Sequence, residues 1–391
     1  MSVLEISEIE SDSQSQIPRL DFELTPGCDH KCAHCYNVWT ADEGDPQAGY
    51  DTGGQLRTPE FKAMMSNIVG QTQAKHITIT GGEPLLRKDA VEIIEHACSS
   101  VDVVTLITNG SHVDPQTAAR FGRAGLRQVQ LTLLAGDRAE HDRLKGAECF
   151  DDTIRAAVNL TEAGVPVQVC FVSMHENWHQ FERVMELCFA LGIRGISYNR
   201  MSPTGGAIHH IARLMPTVEQ IEANLEVAER LGRAWDIAVS TAMPIPPCLI
   251  RIESYSWVRF GFCSTGSSSP NIVIDGKGNV RSCNLAGGVM GNVLEQPWSE
   301  IYAVPYQREF KRNVPDMCRG CAYETSCQGG CKESGFATFG DHAHPEPLLW
   351  LAQNPDWREQ VGEEVDQSII PLRRLTRPAS RRSEGAPVGD A

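Results

Sequence analysis

The chain has 391 residues, 41% of them hydrophobic, with 14 cysteines and a formal net charge of −15. That composition excludes a disordered chain, and the acidic balance excludes a general nucleic-acid surface, which needs clustered Lys and Arg against phosphates. The opening Met1-Ser-Val-Leu-Glu-Ile-Ser-Glu has no basic segment followed by an apolar one, and no apolar run is long enough to span a bilayer. The expectation is a cytoplasmic protein with no membrane partner.

Residues 1–18 are polar and acidic and read as a flexible leader, too short for a domain. From Leu20, strand-like runs at 20–25, 76–80, 103–108, 128–134, 167–173 and 195–200 alternate with helical patterns near 59–73, 88–99, 115–124, 151–163 and 177–191. Six such alternations imply an α/β fold on a parallel sheet. Thr58-Pro59 and Asp114-Pro115 read as helix caps followed by first-turn prolines. Parallel β/α units place ligand sites at the carboxyl ends of their strands, and Cys28 and Gly81 both directly follow strands.

The loop Cys28-Asp-His-Lys-Cys32-Ala-His-Cys35 brings three thiols within eight residues. Thiolates at this spacing select zinc or an iron–sulfur cluster. With His30 or His34 as fourth ligand the loop suits structural zinc; a four-iron cube on three cysteines leaves one iron open to a small chelating molecule. Downstream, Thr78-Ile-Thr-Gly81-Gly82-Glu83-Pro84 runs a strand into two glycines and an acid. Glycine lets backbone approach a ligand, and Glu83 offers a carboxylate to a cationic amine.

Met201-Ser-Pro-Thr-Gly-Gly206 reads as a loop on the mouth side, followed by a helix near 217–232, and the proline-rich 243–248 marks a boundary. Beyond it come Cys263, Gly278 and Cys283, then Cys318-Arg-Gly-Cys321, Cys327 and Cys331. C-x2-C pairs often hold zinc, but two such unlike halves fit a zinc ribbon poorly. Cys98, Cys149, Cys170 and Cys188 have no partners in the pattern and read as small buried apolar residues. The domains expected are therefore 1–18, 19–240, 241–345 and a partly disordered, arginine-containing tail, 346–391.

In this order, the Cys28–Cys35 loop and the Gly81–Pro84 turn resemble the radical S-adenosylmethionine (radical SAM) enzymes, and the later cysteines resemble the SPASM extension of that family. The resemblance implies a partial (β/α)6 TIM-like barrel with a C-terminal iron–sulfur domain. It further implies one 4Fe–4S cluster that binds S-adenosylmethionine (SAM) at Cys28, Cys32 and Cys35, and two auxiliary clusters. Carried over by position, Cys263, Cys283 and Cys331 share one auxiliary cluster, with Cys248 assigned as its spare thiol. Cys318, Cys321 and Cys327 hold the other, with Asp341, His342, His344 or an open iron completing it.

For SAM, the resemblance implies contacts at Gly81, Gly82, Glu83 and Pro84 to the amino group, Asn109 to the ribose, and Thr132 and Lys145 to the carboxylate, with His34 against adenine. Arginine is usual where Lys145 stands, and lysine supplies charge without a bidentate fork. No catalytic side chain is assigned. Members of this family mostly modify peptides, installing crosslinks, thioethers or epimers or oxidising a residue. The alternatives are a small molecule or tetrapyrrole in cofactor or antibiotic biosynthesis, and a non-catalytic zinc or iron–sulfur module. Expected partners are a peptide or small-molecule substrate, an electron donor such as flavodoxin or ferredoxin, and a separate leader-binding protein. Of the two routes to peptide recognition the barrel mouth is the one expected, its loops 36–57 and 201–216 gripping an extended peptide, with that protein as the alternative.

Overall fold

The computed structural model describes residues 17, 19–40, 53–265, 267, 270–302, 310 and 313–357. Most of the leader, the 41–52 part of the proposed mouth loop and the arginines from Arg373 onward lie outside these residues. Six strands follow in register as parallel neighbours: β1 (Arg19–Glu23), β2 (His76–Thr80), β3 (Val103–Thr108), β4 (Gln128–Thr132), β5 (Val167–Ser173) and β6 (Gly195–Arg200). Helices Thr58–Thr72, Ala90–Ser100, Pro115–Ala124, Phe150–Glu162 and Phe181–Ala190 connect them.

Strand alternation decides what each face holds. On β2, Ile77 and Ile79 are fully buried in one apolar cluster with Phe61, Met65, Ile68 and Ile93 of the helices. The intervening residues give the sheet a polar inner face. There Arg19 Nη2 donates to Thr78 Oγ1 at 3.0 Å, and His76 Nε2 lies 3.1 Å from Thr105 Oγ1. Asn271 Nδ2 donates to Asp21 Oδ2 at 2.7 Å, and Asn199 Nδ2 to Ser197 Oγ at 3.1 Å and Cys170 Sγ at 3.5 Å. Cys170 is buried, as expected for it, with its sulfur turned to this polar lining.

The later strands join the same sheet instead of forming a second one. β7 (Ala238–Ser240) and β8 (Val258–Arg259) extend it in parallel beyond β6. On the other flank β9 (Asn271–Asp275) pairs in parallel with β1, then antiparallel β10 (Asn279–Arg281) and β11 (Val289–Asn292) follow. The order runs from β11 to β8 as one eleven-stranded sheet, a partial barrel open between its ends. The region expected to begin a separate domain at 241 thus flanks the barrel on both sides.

Three local expectations change. Thr58 is the first residue of its helix, not its cap: Arg57 N donates to Glu60 Oε2 at 3.0 Å, and Thr58 Oγ1 turns to Asp89 Oδ2 at 2.5 Å. Asp114 does cap, accepting from Thr117 N at 2.7 Å. Residues 205–210 and 211–214 are short helices, with Ala207 N donating to Cys35 O at 3.0 Å, so this part of the expected mouth loop is helical and not extended. The chain beyond 345 begins as the helix Pro347–Gln353, with Leu348, Leu349, Leu351 and Trp357 buried.

Candidate functional site

The loops leaving β1, β2 and β3 meet at the carboxyl edge of the sheet. Gly82 N donates to Thr25 O and Glu83 N to Gly27 O, both at 2.8 Å. A Cβ on Gly82 would stand 2.2 Å from Gly27 O, and one on Gly81, whose φ is +143°, 2.5 Å from Thr25 O. The two glycines thus let the β2 turn close onto the backbone leading into Cys28, a close approach to protein where the sequence suggests one to ligand.

Glu83 is fully buried. Its carboxylate accepts from Leu85 N at 2.9 Å, Thr108 Oγ1 at 2.7 Å and Asn109 N at 2.7 Å. Burial pushes its carboxyl above the usual glutamate range against these donors. The side chain therefore braces β2 to β3. Asn109 extends the brace into the cysteine loop, its Nδ2 donating to Asp29 Oδ1 at 2.7 Å. Pro84 opens a single 3-10 turn for which Glu83 is the cap.

Lys145 reaches this edge from the last turn of the helix Arg138–Lys145, whose polar sequence gives no apolar stripe to announce it. The side chain is buried; burial works against its charge, but Cys32, Cys149, Cys28 and Glu83 hold its ammonium above the usual lysine range. Backbone ties it to the cysteine loop, Lys31 N donating to Lys145 O at 3.1 Å. His34 has a buried Nδ1 without a partner among the described residues, and burial together with Lys145 lowers its pKa to about 3, so the ring is neutral. Thr132 ends β4 half-buried on the polar face, opposite Cys170 of β5. The cofactor-contact candidates His34, Gly81–Pro84, Asn109, Thr132 and Lys145 thus lie on neighbouring strand ends and loops around the first three cysteines.

The ten expected ligands fall into three groups, within which the thiols act on one another electrostatically. Cys32 couples to Cys28 and to Cys35, and Cys35 N donates to Cys32 O at 3.0 Å in a tight turn. Cys283 couples to Cys263 and Cys331. Cys248 couples to Cys321, Cys318 and Cys327. This corrects the assignment of Cys248: it completes a four-thiol set with Cys318, Cys321 and Cys327 and leaves Cys263, Cys283 and Cys331 as three. The reason is the turn at 246–250 and the 3-10 helix Ile252–Ser254, where Glu253 accepts from Tyr323 OH and draws this segment to the Cys318–Cys327 loop. Asp341, His342 and His344 make other contacts among the described residues. Asp341 Oδ1 accepts from Ala343 N at 2.9 Å, His344 Nδ1 lies 2.9 Å from Pro345 O, and His342 Nε2 lies 3.1 Å from Glu333 Oε1.

Two buried ion pairs tie the Cys263–Cys283–Cys331 set to the barrel. Arg281 of β10 pairs with Glu23 at the end of β1, while its Nη1 donates to Ala286 O at 2.9 Å and so shapes the loop of Cys283. Arg200 at the end of β6 pairs with Glu346, whose Oε2 accepts from Cys331 N at 3.3 Å. The loop Met201–Thr204 adds Ser202 Oγ, 3.0 Å from Ser334 Oγ. Gly205, φ +54°, takes a position where a Cβ would stand 2.3 Å from Asn37 O, which locks the 205–210 helix over the cysteine loop. None of these links carries a sequence signal, since each joins residues far apart in the chain.

The donor sets suit iron–sulfur clusters. Backbone N–H groups point at the sulfurs: His30 N to Cys28 at 3.5 Å, Tyr323 N to Cys321 at 3.4 Å, Gly329 and Gly330 N to Cys327, Leu285 N to Cys283. Burial first, then mutual repulsion, pushes several of these groups up, Cys28 to about 12, so without a cation they stay protonated thiols, and binding a metal cluster would release those protons. A further His141–Asp142–Cys149 group has ligand-type atoms within 4.8 Å of one another. His141 Nδ1 accepts from Leu134 N at 3.2 Å and Asp142 Oδ1 from Cys149 N at 2.9 Å, while His141 Nε2 is buried without a partner among the described residues. Among the described residues no helix is long and apolar enough to cross a membrane.

Comparison with known proteins agrees with this geometry. Residues 22–188 match the family described as the Radical SAM superfamily, and residues 263–322 match SPASM, an iron-sulfur cluster-binding domain. The PqqA peptide cyclase of Methylocella silvestris is 27% identical over 343 residues, covering 85% of this chain and 87% of that protein. The AdoMet-dependent heme synthase of Nitratidesulfovibrio vulgaris is 26% identical over 352 residues, covering 84% and 90%. The fold is shared with Streptococcus suis SuiB bound to precursor peptide SuiA, at TM-score 0.66 and 15% identity over 85% of this chain and 76% of that one. It is shared also with anSMEcpe holding AdoMet and a peptide, at TM-score 0.64 and 15% identity over 86% and 95%. The chain therefore belongs to the radical SAM superfamily, as an enzyme with a SPASM iron–sulfur domain that works with 4Fe–4S clusters and S-adenosylmethionine.

Proposed function

We propose that this enzyme modifies a peptide, forming a crosslink, a thioether, an epimer or an oxidised residue. The observation that carries the reading is the near full-length likeness to proteins named PqqA peptide cyclase, three of which cover 84–89% of this chain. Cys28, Cys32 and Cys35 would hold the 4Fe–4S cluster that, reduced and with SAM bound, would supply the radical chemistry for hydrogen-atom removal from substrate. The chain's own residues do the rest. The backbone of Gly81–Pro84, braced by Glu83, faces the amino group; Lys145 and Thr132 hold the carboxylate; Asn109 and neutral His34 border the nucleoside. The polar inner face of the sheet receives the substrate, the buried pairs Arg281–Glu23 and Arg200–Glu346 tie the Cys263–Cys283–Cys331 set to the barrel, and the two auxiliary cysteine sets would hold clusters that pass electrons on. A flavodoxin or ferredoxin supplies the reducing electron, and a separate protein presents the substrate's leader.

The test is turnover of a short precursor peptide encoded beside the gene, under anaerobic reduction with SAM. A changed peptide mass with 5′-deoxyadenosine formed in proportion supports the reading. The heme synthase relative supports a tetrapyrrole as the second reading, and turnover of a tetrapyrrole or small metabolite with no peptide present would overturn the first.

A further inference from the structure

The helix Arg138–Lys145 buries two polar side chains one turn apart, His141 fully and Lys145 nearly so. Its last turn is docked on the first cysteine loop. Cys32 Sγ lies 3.5 Å from Lys145 O, Lys31 N donates to the same oxygen at 3.1 Å, and a Cβ on Gly146 would stand 2.6 Å from Lys31 O. His141 is pinned from the strand side, its Nδ1 accepting at 3.2 Å from Leu134 N, just beyond Thr132 at the end of β4. The helix thus joins the β4 exit to the cysteine loop, and its two buried polar side chains stand along that join.

A neutral imidazole has one donor and one acceptor nitrogen. Burial first, and then Lys145, hold the His141 ring neutral, and with Nδ1 taken as the acceptor the hydrogen is on Nε2. That N–H is buried without a partner among the described residues, although a buried donor is nearly always paired in a folded protein. Neither Asp142 nor Cys149, whose ligand-type atoms lie within 4.8 Å of the ring's, hydrogen-bonds to it; Asp142 Oδ1 accepts instead from Cys149 N at 2.9 Å and Phe150 N at 2.8 Å. Nor does the ring suit a metal ion with those two residues, since a nitrogen that keeps its hydrogen has no lone pair to give.

We propose that His141 is a further SAM-binding residue, its Nε2–H donating to the SAM carboxylate beside the Lys145 ammonium. A carboxylate has two oxygens to be met, and lysine supplies charge without a directed fork; the neutral imidazole adds a directed donor. The inference rests on the proposed reading of Lys145 as the cation that holds this carboxylate.

The experiment measures binding, not turnover. Anaerobically reconstituted full-length protein, left oxidised so that SAM is not cleaved, is titrated by equilibrium dialysis with SAM and with decarboxylated SAM, which keeps the sulfonium and the amine. His141→Asn keeps an acceptor for Leu134 N and removes the donor. It should weaken SAM about ten- to a hundredfold, the scale of a hydrogen bond to a charged group, and change decarboxylated SAM by less than about twofold. His141→Gln, whose amide nitrogen donates from the place of Nε2, should recover most of the loss. Lys145→Met should also weaken SAM selectively. If Lys145→Met leaves the parent's preference for SAM over decarboxylated SAM unchanged, the reading of Lys145 fails and this inference with it. If Lys145→Met abolishes that preference and His141→Asn does not, the inference alone is overturned. Equal weakening of both ligands by His141→Asn marks a structural role and overturns it as well. Iron and sulfide are counted in every sample, and where His141→Asn assembles less than the parent, His141→Met, of similar volume and without a donor, takes its place.

Discussion

Replacing Glu346 by alanine tests how the auxiliary region is fastened to the barrel. Arg200 and Glu346 have fully buried side chains. With the carboxylate gone, the guanidinium keeps one acceptor, Pro244 O at 2.9 Å from Nε, and Cys331 N loses its partner. Breaking a buried pair by removing one charge costs about 3–5 kcal/mol, and an orphaned buried N–H about 1–3 kcal/mol; the two overlap, so about 4 kcal/mol is expected. Glu346→Gln keeps both acceptor positions and loses only the charge, so about half that cost is expected. Arg200→Met with Glu346→Leu removes both charges and should return to within about 1–2 kcal/mol of the parent. The assay is anaerobic denaturant unfolding of these four proteins, with iron content measured in parallel, and the cluster that includes Cys331 should be lost first. A Glu346→Ala cost below about 1 kcal/mol, or a double variant as unstable as the single one, would refute the reasoning.

Cys248→Ala should remove or convert the cluster of Cys318, Cys321 and Cys327, lowering iron by up to about four per chain, while Cys98→Ala changes nothing; iron and sulfide assays compare the two. Gly82→Ala sets a Cβ 2.2 Å from Gly27 O, so the cysteine loop must shift and the SAM-binding cluster should fail to assemble although both auxiliary clusters form, as EPR would show. His141 is buried and its pKa is lowered to about 3, by burial first and then by Lys145. The unfolded chain therefore binds a proton that the native one refuses, and stability should fall by about 2 kcal/mol between pH 7 and pH 5 from this group alone. In His141→Gln, denaturant unfolding at the two pH values should show that much less dependence.

The barrel is legible because its strands are apolar and β-rich and its helices carry apolar stripes: Ile77 and Ile79, or Phe181, Val184, Met185 and Cys188, announce their faces in sequence. The helix Arg138–Lys145 escapes because it stands at the sheet edge, where only His141, Leu144 and Lys145 are buried. The cysteine ligands are visible as spacings. Their grouping is not, because Cys248 reaches its partners through a fold of the chain some seventy residues long, set by contacts such as Glu253 with Tyr323. Glu83 is visible as part of a motif, but its role as a brace depends on Thr108 and Asn109, which sit on another strand. Long-range polar pairs leave no local pattern to read.

The central claim is that the Cys28–Cys32–Cys35 site alone turns SAM into the hydrogen-abstracting radical. The direct measurement is 5′-deoxyadenosine formed by anaerobically reconstituted, reduced protein, with iron and sulfide counted on the same sample. About twelve irons and as much sulfide are expected in the parent, falling to about eight in the Cys28→Ala, Cys32→Ala, Cys35→Ala variant with 5′-deoxyadenosine abolished. Zinc without sulfide in the parent, or SAM cleavage that survives in the variant, would contradict it.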